Sequence, residues 1–148
     1  MMEENRMQLL CMALDDVLYG VELKYVVETV RDARITPLPF LPAFYLGVCS
    51  RMGNVTPVAS LRRLCGREEP QTDGHTVTVC LRCGAYECGI FTREKPLILT
   101  IDGQSRIQGQ EADLSSDHWK VKALHMYEGR MLLLVDVQKS LERMIVCG

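Results

Sequence analysis

The sequence of 148 residues is poor in the features that mark nucleic-acid-binding and membrane-spanning proteins. Its 17 basic and 19 acidic residues give a formal charge of −2 without a basic run, which argues against nucleic acid or an anionic membrane as the main partner. The longest uncharged stretch, 35–50, contains three prolines and is shorter than the ~20 residues of a membrane helix. The acidic start at 1–6 lacks the order of a signal peptide. We therefore expect a cytoplasmic protein without direct membrane insertion.

Disulfide and metal frameworks are also missing from the cysteine pattern. The seven cysteines, at positions 11, 49, 65, 80, 83, 88 and 147, are odd in number and show no regular spacing, so we expect small buried apolar side chains. Cys80 and Cys83 form one CxxC pair, which leaves a cysteine-based metal or redox module as an alternative function. Because Thr76–Leu81 alternates like a strand, the two thiols would point to opposite faces, and no second pair supplies further ligands. We predict no metal and no cofactor.

The sequence also lacks every common catalytic signature. It contains no Gly-x-Ser-x-Gly elbow, Walker loop, HExxH helix or dinucleotide fingerprint, and its histidines, His75, His118 and His125, are dispersed. A Cys–His pair that meets only in space stays open as an alternative. We predict that the protein is not an enzyme.

What the sequence does contain is a series of short β-type runs separated by Gly, Asp and Pro, which predicts an all-β fold. The predicted strands are Leu9–Leu14, Val17–Leu23, Tyr25–Val30, Gly47–Ser50, Val55–Ala59, Thr76–Leu81, Ala85–Phe91, Pro96–Ile101, Trp119–Met126 and Met131–Val135. The prolines of 35–42 predict an extended connection that ends in a short helical turn before Leu46. Helices are predicted at Leu61–Cys65, capped by Ser60, and at Val137–Ile145, capped by Asp136.

The two halves of the chain are weakly similar to each other. Gly53–Arg63 aligns with Gly129–Lys139, since each copy is a glycine turn, a strand, a capping residue and a basic helix. The polar stretch Arg67–Gly74 separates the halves. The repeat predicts two small barrels, approximately 9–66 and 75–145, within a single domain of residues 1–148, and strands can be exchanged between them. Chance similarity of two hairpins is the alternative interpretation.

The segment Tyr45–Arg62 carries a family resemblance. It reads Tyr-Leu-Gly-Val-Cys-Ser-Arg-Met-Gly-Asn-Val-Thr-Pro-Val-Ala-Ser-Leu-Arg. This resembles the signature of CheW-like domains, in which a Gly-Val-Ile-Asn-Leu-Arg-Gly stretch is followed by Ile-Pro-Val and Asp-Leu. Tyr19–Leu23, Val26–Glu28 and Met131–Asp136 are similar to other segments of that family. The order and spacing of these segments, from about Leu9 to Leu141, carry the resemblance.

The resemblance implies both a fold and a function. The fold would be two five-stranded SH3-like barrels packed together, with short connecting helices and a C-terminal helix. The function would be that of a non-catalytic adaptor in chemotaxis-like signal transduction, which couples the cytoplasmic tip of a chemoreceptor to the regulatory domain of a CheA-type histidine kinase. The groove between the barrels would receive the receptor tip. An SH3-like protein-binding module in another two-component pathway is the alternative.

The resemblance also implies a set of partner-binding residues, namely Val26, Glu28, Gly47, Val48, Ser50, Met52, Gly53 and Arg62. Two positions depart from the family pattern, because Met52 stands where Arg is usual and Ser60 stands where Asp is usual. Methionine cannot make the ionic contact of an arginine and offers soft apolar surface instead, so we expect an altered interface. Glu28 as a solvated surface carboxylate is the structural alternative.

Overall fold

The computed structural model describes residues 6–70, 74–107 and 114–146. The elements in chain order are β1 (Met7–Leu14), β2 (Val17–Glu22), β3 (Val26–Arg31), β4 (Tyr45–Arg51), β5 (Asn54–Ser60), α1 (Leu61–Leu64), β6 (Val77–Cys83), β7 (Tyr86–Thr92), β8 (Leu97–Ile101), β9 (Arg106–Ile107), β10 (Val121–Tyr127), β11 (Arg130–Val135) and α2 (Val137–Ile145). The predicted all-β fold with a C-terminal helix is confirmed. Within the described ranges, neither helix has the length and apolar character needed to cross a bilayer.

Most local predictions are correct because they depend on contacts between near neighbours in the sequence. The Ser60 hydroxyl accepts a hydrogen bond from the Arg63 N–H, and the Asp136 carboxylate accepts one from the Lys139 N–H, so both predicted helix caps are present. The helical turn predicted before Leu46 is wrong. Residues 43–44 form a single turn closed by one hydrogen bond, from the Tyr45 N–H to the Pro42 carbonyl, and no helix follows because the chain continues directly into β4 at Tyr45.

The strands form two sheets, and each sheet takes strands from both halves of the chain. The order is β8-β1-β2-β11-β10-β9 in the six-stranded sheet and β3-β6-β7-β5-β4 in the five-stranded sheet. The first hairpin of each half therefore lies in the sheet formed by the later strands of the other half. The division of the chain into folding units at 9–66 and 75–145 stays a prediction.

Neither sheet is a closed barrel, which corrects the expectation of two closed five-stranded units. The physical reason in the five-stranded sheet is that the outer edge of β4 is already occupied. Thr36 and Val48 exchange two backbone hydrogen bonds, of 2.8 and 2.9 Å, so the proline-containing connection blocks β3 from pairing with β4. In the six-stranded sheet, the described residues place β8 at one edge and β9 (Arg106–Ile107) at the other, and these two edges do not pair.

Each sheet contains one parallel pair of strands, and a glycine lies in each pair. Gly20 is opposite Leu134 in the pairing of β2 with β11, and Gly89 is opposite Val58 in the pairing of β7 with β5. A Cβ atom on Gly20 would lie 2.9 Å from Leu9 Cδ1, and one on Gly89 would lie 2.7 Å from Thr78 Cγ2. Both positions therefore need glycine for space.

The core has a central cluster between the sheets and a smaller cluster within each sheet. Because side chains alternate along a strand, Leu10 and Met12 of β1 join the central cluster, whereas Leu9 and Cys11 join the cluster inside the six-stranded sheet. Trp119, which is 1% exposed, lies in the central cluster. The helix α2 closes the central cluster with Val137, Leu141 and Met144.

The glycine in β7 gives a first prediction. Gly89→Ala should lower the free energy of unfolding by about 1–3 kcal/mol, because the added methyl group overlaps Thr78 Cγ2 in a packed site. Thr78→Ser removes that carbon, so the double variant Gly89→Ala/Thr78→Ser should be more stable than additivity predicts. Urea unfolding of the four proteins of this cycle measures the coupling, and simple additivity would contradict the proposed overlap.

Candidate functional site

Three of the predicted site residues, Glu28, Ser50 and Met52, meet in one groove on the five-stranded sheet. This groove, here named the Glu28 groove, has a volume of about 390 Å³ and is lined by Glu28, Val30, Ala33, Arg34, Thr36, Cys49, Ser50, Arg51 and Met52. It lies where the two edge strands of the sheet approach each other, beside the connection that bridges Val48. The groove therefore combines an open sheet seam with charged and apolar walls.

Arg51 is the central charged group of the groove. Its side chain is only 8% exposed, and its Nη1 donates to Glu28 Oε2 at 2.7 Å while its Nη2 donates to Glu87 Oε1 at 2.5 Å. Arg82 donates from Nε to the other carboxylate oxygen of Glu87 at 2.8 Å, and Thr56 Oγ1 donates to Glu87 Oε1 at 3.3 Å. The guanidinium thus connects β4 to both β3 and β7 and fixes the position of the Glu28 carboxylate.

These contacts shift the titration of the groups involved. Burial acts to raise the pKa of Glu87, but hydrogen bonds from Arg51 and Arg82 outweigh it and hold that pKa below its ordinary value of 4.5. The hydrogen bonds to Glu87 and Glu28 raise the pKa of Arg51. Both shifts favour the charged forms, so Glu87 and Arg51 are ionised at neutral pH.

Met52 forms the exposed tip of the hairpin between β4 and β5. Its side chain is 88% exposed. Met52 and the next residue, Gly53, both have positive φ angles, of +50° and +82°. A non-glycine residue with positive φ is uncommon, so the turn holds an apolar side chain in solvent against two local preferences. An exposed apolar tip beside an ionised groove suits contact with a protein partner.

Four other predicted site residues, Gly47, Val48, Gly53 and Val26, do not line the groove. A Cβ atom on Gly47 would lie 2.2 Å from the Thr36 carbonyl oxygen, so this glycine permits the bridge between the connection and β4. Val48 holds that bridge through its backbone, and Gly53 completes the hairpin turn. Val26 packs half-buried against the central core cluster.

Arg62 is the one predicted site residue that the structure places elsewhere. Its Nε donates to the Glu68 carbonyl at 2.9 Å, and it lines a small separate pocket beside Asp15. Near it, Ser60 replaces the aspartate usual in the family. The Ser60 hydroxyl donates to Glu69 Oε1 at 2.6 Å, and Arg93 Nε donates to Glu69 Oε2 at 2.6 Å. Glu69 therefore supplies a carboxylate at this place while Ser60 still caps α1.

The cysteines give little support for the alternative of a metal or redox module. Burial raises the pKa of Cys80 to about 11 and that of Cys88 to about 12, which keeps both thiols protonated. Within 6–70, 74–107 and 114–146, no group of three or more His, Cys, Asp or Glu side chains is placed to hold a metal ion. Cys147 lies outside the described residues.

The histidines have separate partners. His75 Nδ1 lies 3.3 Å from Asp32 Oδ2, and the His118 ring packs on Phe44 with 4.6 Å between ring centroids. His125 is buried, and its Nδ1 lies 2.8 Å from Ser105 Oγ. Burial lowers the pKa of His125, with a further contribution from Arg106, so its ring is neutral at pH 7.

Sequence reasoning missed Arg51 and Glu87. It noted the loss of an arginine at position 52, yet the guanidinium at position 51 makes the ionic contact with Glu28 instead. Burial of Arg51 depends on how the edge strands β3 and β4 approach each other in space, so the local sequence could not predict it. Glu87 directly precedes a run of buried residues in β7, and a carboxylate next to such a run was the available sign of a partly buried ion pair.

The paired open sheets, the ionised groove and the apolar tip define a binding scaffold of the SH3-like type. A family model described as the CheW-like domain matches residues 8–144, and the chain belongs to this family. Members of this family are non-catalytic scaffold proteins of chemotaxis-like signal transduction, in agreement with the prediction that the protein is not an enzyme.

The chain is also similar to two known proteins. The chain is 32% identical over 80 residues to protein FrzA of Myxococcus xanthus, a match that covers 54% of this chain and half of FrzA. Its fold is similar to that of the scaffolding protein TtCheW of Thermoanaerobacter tengcongensis, with a TM-score of 0.76, 19% identity and 88% of both chains covered. The second similarity shows the two-sheet fold alone.

The ion-pair network gives a prediction with a defined pH dependence. Arg51→Met should lower the free energy of unfolding by about 1–3 kcal/mol at pH 7, because Glu28 and Glu87 lose their shared donor. Since the folded pKa of Glu87 is depressed, its contribution is present above its ordinary pKa of 4.5 and is lost as pH falls through the lower folded value. The difference between wild type and variant should therefore shrink below pH 4.5.

Urea unfolding at several pH values measures this difference. Arg82→Met is the matched control, because Arg82 also bonds Glu87 but is 54% exposed, and it should cost less than about 1 kcal/mol. An Arg51→Met effect that is independent of pH would contradict an ionic role for the network.

Proposed function

We propose that this chain is a cytoplasmic adaptor that couples a chemoreceptor tip to the regulatory domain of a CheA-type histidine kinase. The observation that carries the proposal is the Glu28 groove, in which Arg51 holds the Glu28 carboxylate beside the exposed Met52 tip. Membership of the CheW-like family supports the assignment to this pathway. The predicted site residues Glu28, Ser50 and Met52 line one surface, as a single docking site requires.

The family resemblance implies a receptor site between the two barrels, whereas the proposal places the receptor tip in the Glu28 groove, which the five-stranded sheet and its proline-containing connection form. The walls offer a fixed carboxylate and a hydroxyl for polar contacts, and Met52 offers a flexible, polarisable side chain that can adapt to an apolar partner face. The Glu28 side chain is already ordered in the free protein, because Arg51, which also bonds Glu87, donates a hydrogen bond to its carboxylate. A restrained site loses less conformational entropy on binding.

Substitution at the hairpin tip tests the proposal. Met52→Asp should weaken binding of the cognate receptor cytoplasmic fragment at least about tenfold, a loss of about 1.4 kcal/mol, because an ionised side chain replaces an apolar contact. Stability should change by less than about 0.5 kcal/mol, because the side chain is 88% exposed and Asp tolerates positive φ better than Met. Biolayer interferometry measures the affinity, and urea unfolding measures the stability.

The matched control is Ile98→Asp, which introduces the same charge at a 61% exposed apolar residue in β8 of the other sheet. This variant should bind the receptor fragment with unchanged affinity. If neither the receptor fragment nor the kinase regulatory domain binds the wild-type protein, the alternative of a module in another two-component pathway gains support. If both bind and Met52→Asp has no effect, the groove is not the docking site.

A further inference from the structure

A second groove lies where α2 meets both sheets, and it shares no lining residue with the Glu28 groove. This α2 groove has a volume of about 440 Å³ and is lined by Tyr86, Lys120, Lys139, Glu142, Arg143 and Val146. Tyr86 comes from β7 of the five-stranded sheet, and Lys120 directly precedes β10 of the six-stranded sheet. The site therefore requires the assembled molecule.

The periodicity of α2 explains which side chains reach the groove. Lys139, Glu142, Arg143 and Val146 are spaced i, i+3, i+4 and i+7, so they share one face at the exposed side of the helix. The opposite face, with Val137, Ser140, Leu141 and Met144, is buried in the core. One side of a short helix thus anchors it, and the other side is open to a partner.

The walls of the α2 groove are firmly held. The Lys120 N–H donates to Ser140 Oγ at 2.8 Å, and the Lys120 carbonyl accepts from the Asp136 N–H at 2.8 Å. Tyr45 OH donates to the Met144 carbonyl at 3.3 Å, and Arg143 Nε donates to the Asp117 carbonyl at 3.3 Å. The groove is therefore largely formed before any partner arrives, which favours specific binding.

The charge of the groove is opposite to that of the chain. The whole chain has a formal charge of −2, yet three cations and one carboxylate line this groove. Neither Lys120 nor Lys139 has an ion-pair partner in the part of the chain that the structure describes. In addition, Lys139 lies in the first turn of α2, where the helix dipole disfavours a cation. An anionic ligand would pair with these lysines and would offset the unfavourable interaction of Lys139 with the helix dipole.

The floor of the groove is apolar. Val146 is 62% exposed, and the half-buried Tyr86 ring packs against the central core cluster. Basic walls around an apolar floor fit an acidic peptide that carries one large apolar side chain. A lipid surface or a nucleic acid would need a broad basic face, and an acidic protein with scattered cations does not offer one.

We propose that the α2 groove is a docking site for an acidic segment of a partner protein, in which an aromatic or large aliphatic residue contacts Tyr86 and Val146 and flanking carboxylates pair with Lys120, Lys139 and Arg143. The site is separate from the Glu28 groove, so both can be occupied together.

Fluorescence anisotropy with a labelled peptide, acetyl-Glu-Asp-Phe-Glu-Asp-amide, tests the proposal on the full chain at low ionic strength. Lys139→Glu should weaken peptide binding about fivefold or more, because it replaces attraction by repulsion. The same change should leave folding intact, since Glu suits the first turn of a helix better than Lys. Lys95→Glu, at an exposed cation outside the groove, is the matched control with the same change of charge and should bind as wild type does.

Three results would overturn the proposal. Equal affinity of Lys139→Glu and wild type would remove the helix from the site. Equal affinity of a peptide with Ala in place of Phe would leave only a charge effect. Competition by inorganic phosphate, or by phosphatidylglycerol vesicles, at concentrations matched to the peptide would make the groove a general anion site. The outcome is independent of the Glu28 groove, because Met52→Asp should bind the peptide as wild type does, and Lys139→Glu should still bind the receptor fragment.

Discussion

The pairing of two sets of parallel strands is the constraint on which the rest of this structure depends. The pair of β2 with β11 and the pair of β7 with β5 join strands that are distant in sequence. Each pair contains a glycine at which an added Cβ atom would lie within 3 Å of a side chain on the antiparallel neighbour, Leu9 or Thr78. These pairs place the first hairpin of each half in the sheet of the other half. Neither sheet can therefore form from one half alone, and the molecule should fold through contacts of large sequence separation.

The same constraint positions the Glu28 groove. Because β7 pairs with both β6 and β5, it lies at the middle of the five-stranded sheet and presents Glu87 towards both edge strands. Arg51 enters from β4 and Glu28 from β3, so one guanidinium replaces the backbone ladder that the unclosed edges lack. An ion pair at a sheet seam is more adjustable than backbone pairing, which leaves the seam accessible to a partner while it stays ordered.

A structural feature could be predicted from the sequence when the residues that determine it are close together along the chain. The caps at Ser60 and Asp136 involve a donor three residues away, and the strands follow local alternation, so both were predictable. The open edge of the five-stranded sheet was not predictable, because it depends on Thr36 pairing with Val48 and occupying the edge of β4. Arg51 was overlooked for a similar reason. Family spacing directs attention to position 52, and successive strand residues point to opposite faces, so a shift of one residue decides which side chain is buried.

The two grooves differ in chemistry as well as in place, and this difference has a functional consequence. The Glu28 groove is lined by one carboxylate, Glu28, which Arg51 pairs, by a second cation, Arg34, and by the apolar tip Met52. The α2 groove is lined by three cations and one carboxylate beside Tyr86 and Val146. The two grooves therefore differ in how charged and apolar groups are arranged, which gives a partner segment a basis for preferring one of them. Discrimination of this kind is what a scaffold needs, because a protein that joins two different partners must not bind two copies of either one. The reciprocal exchange of hairpins links both grooves within one fold, because each sheet takes strands from both halves of the chain.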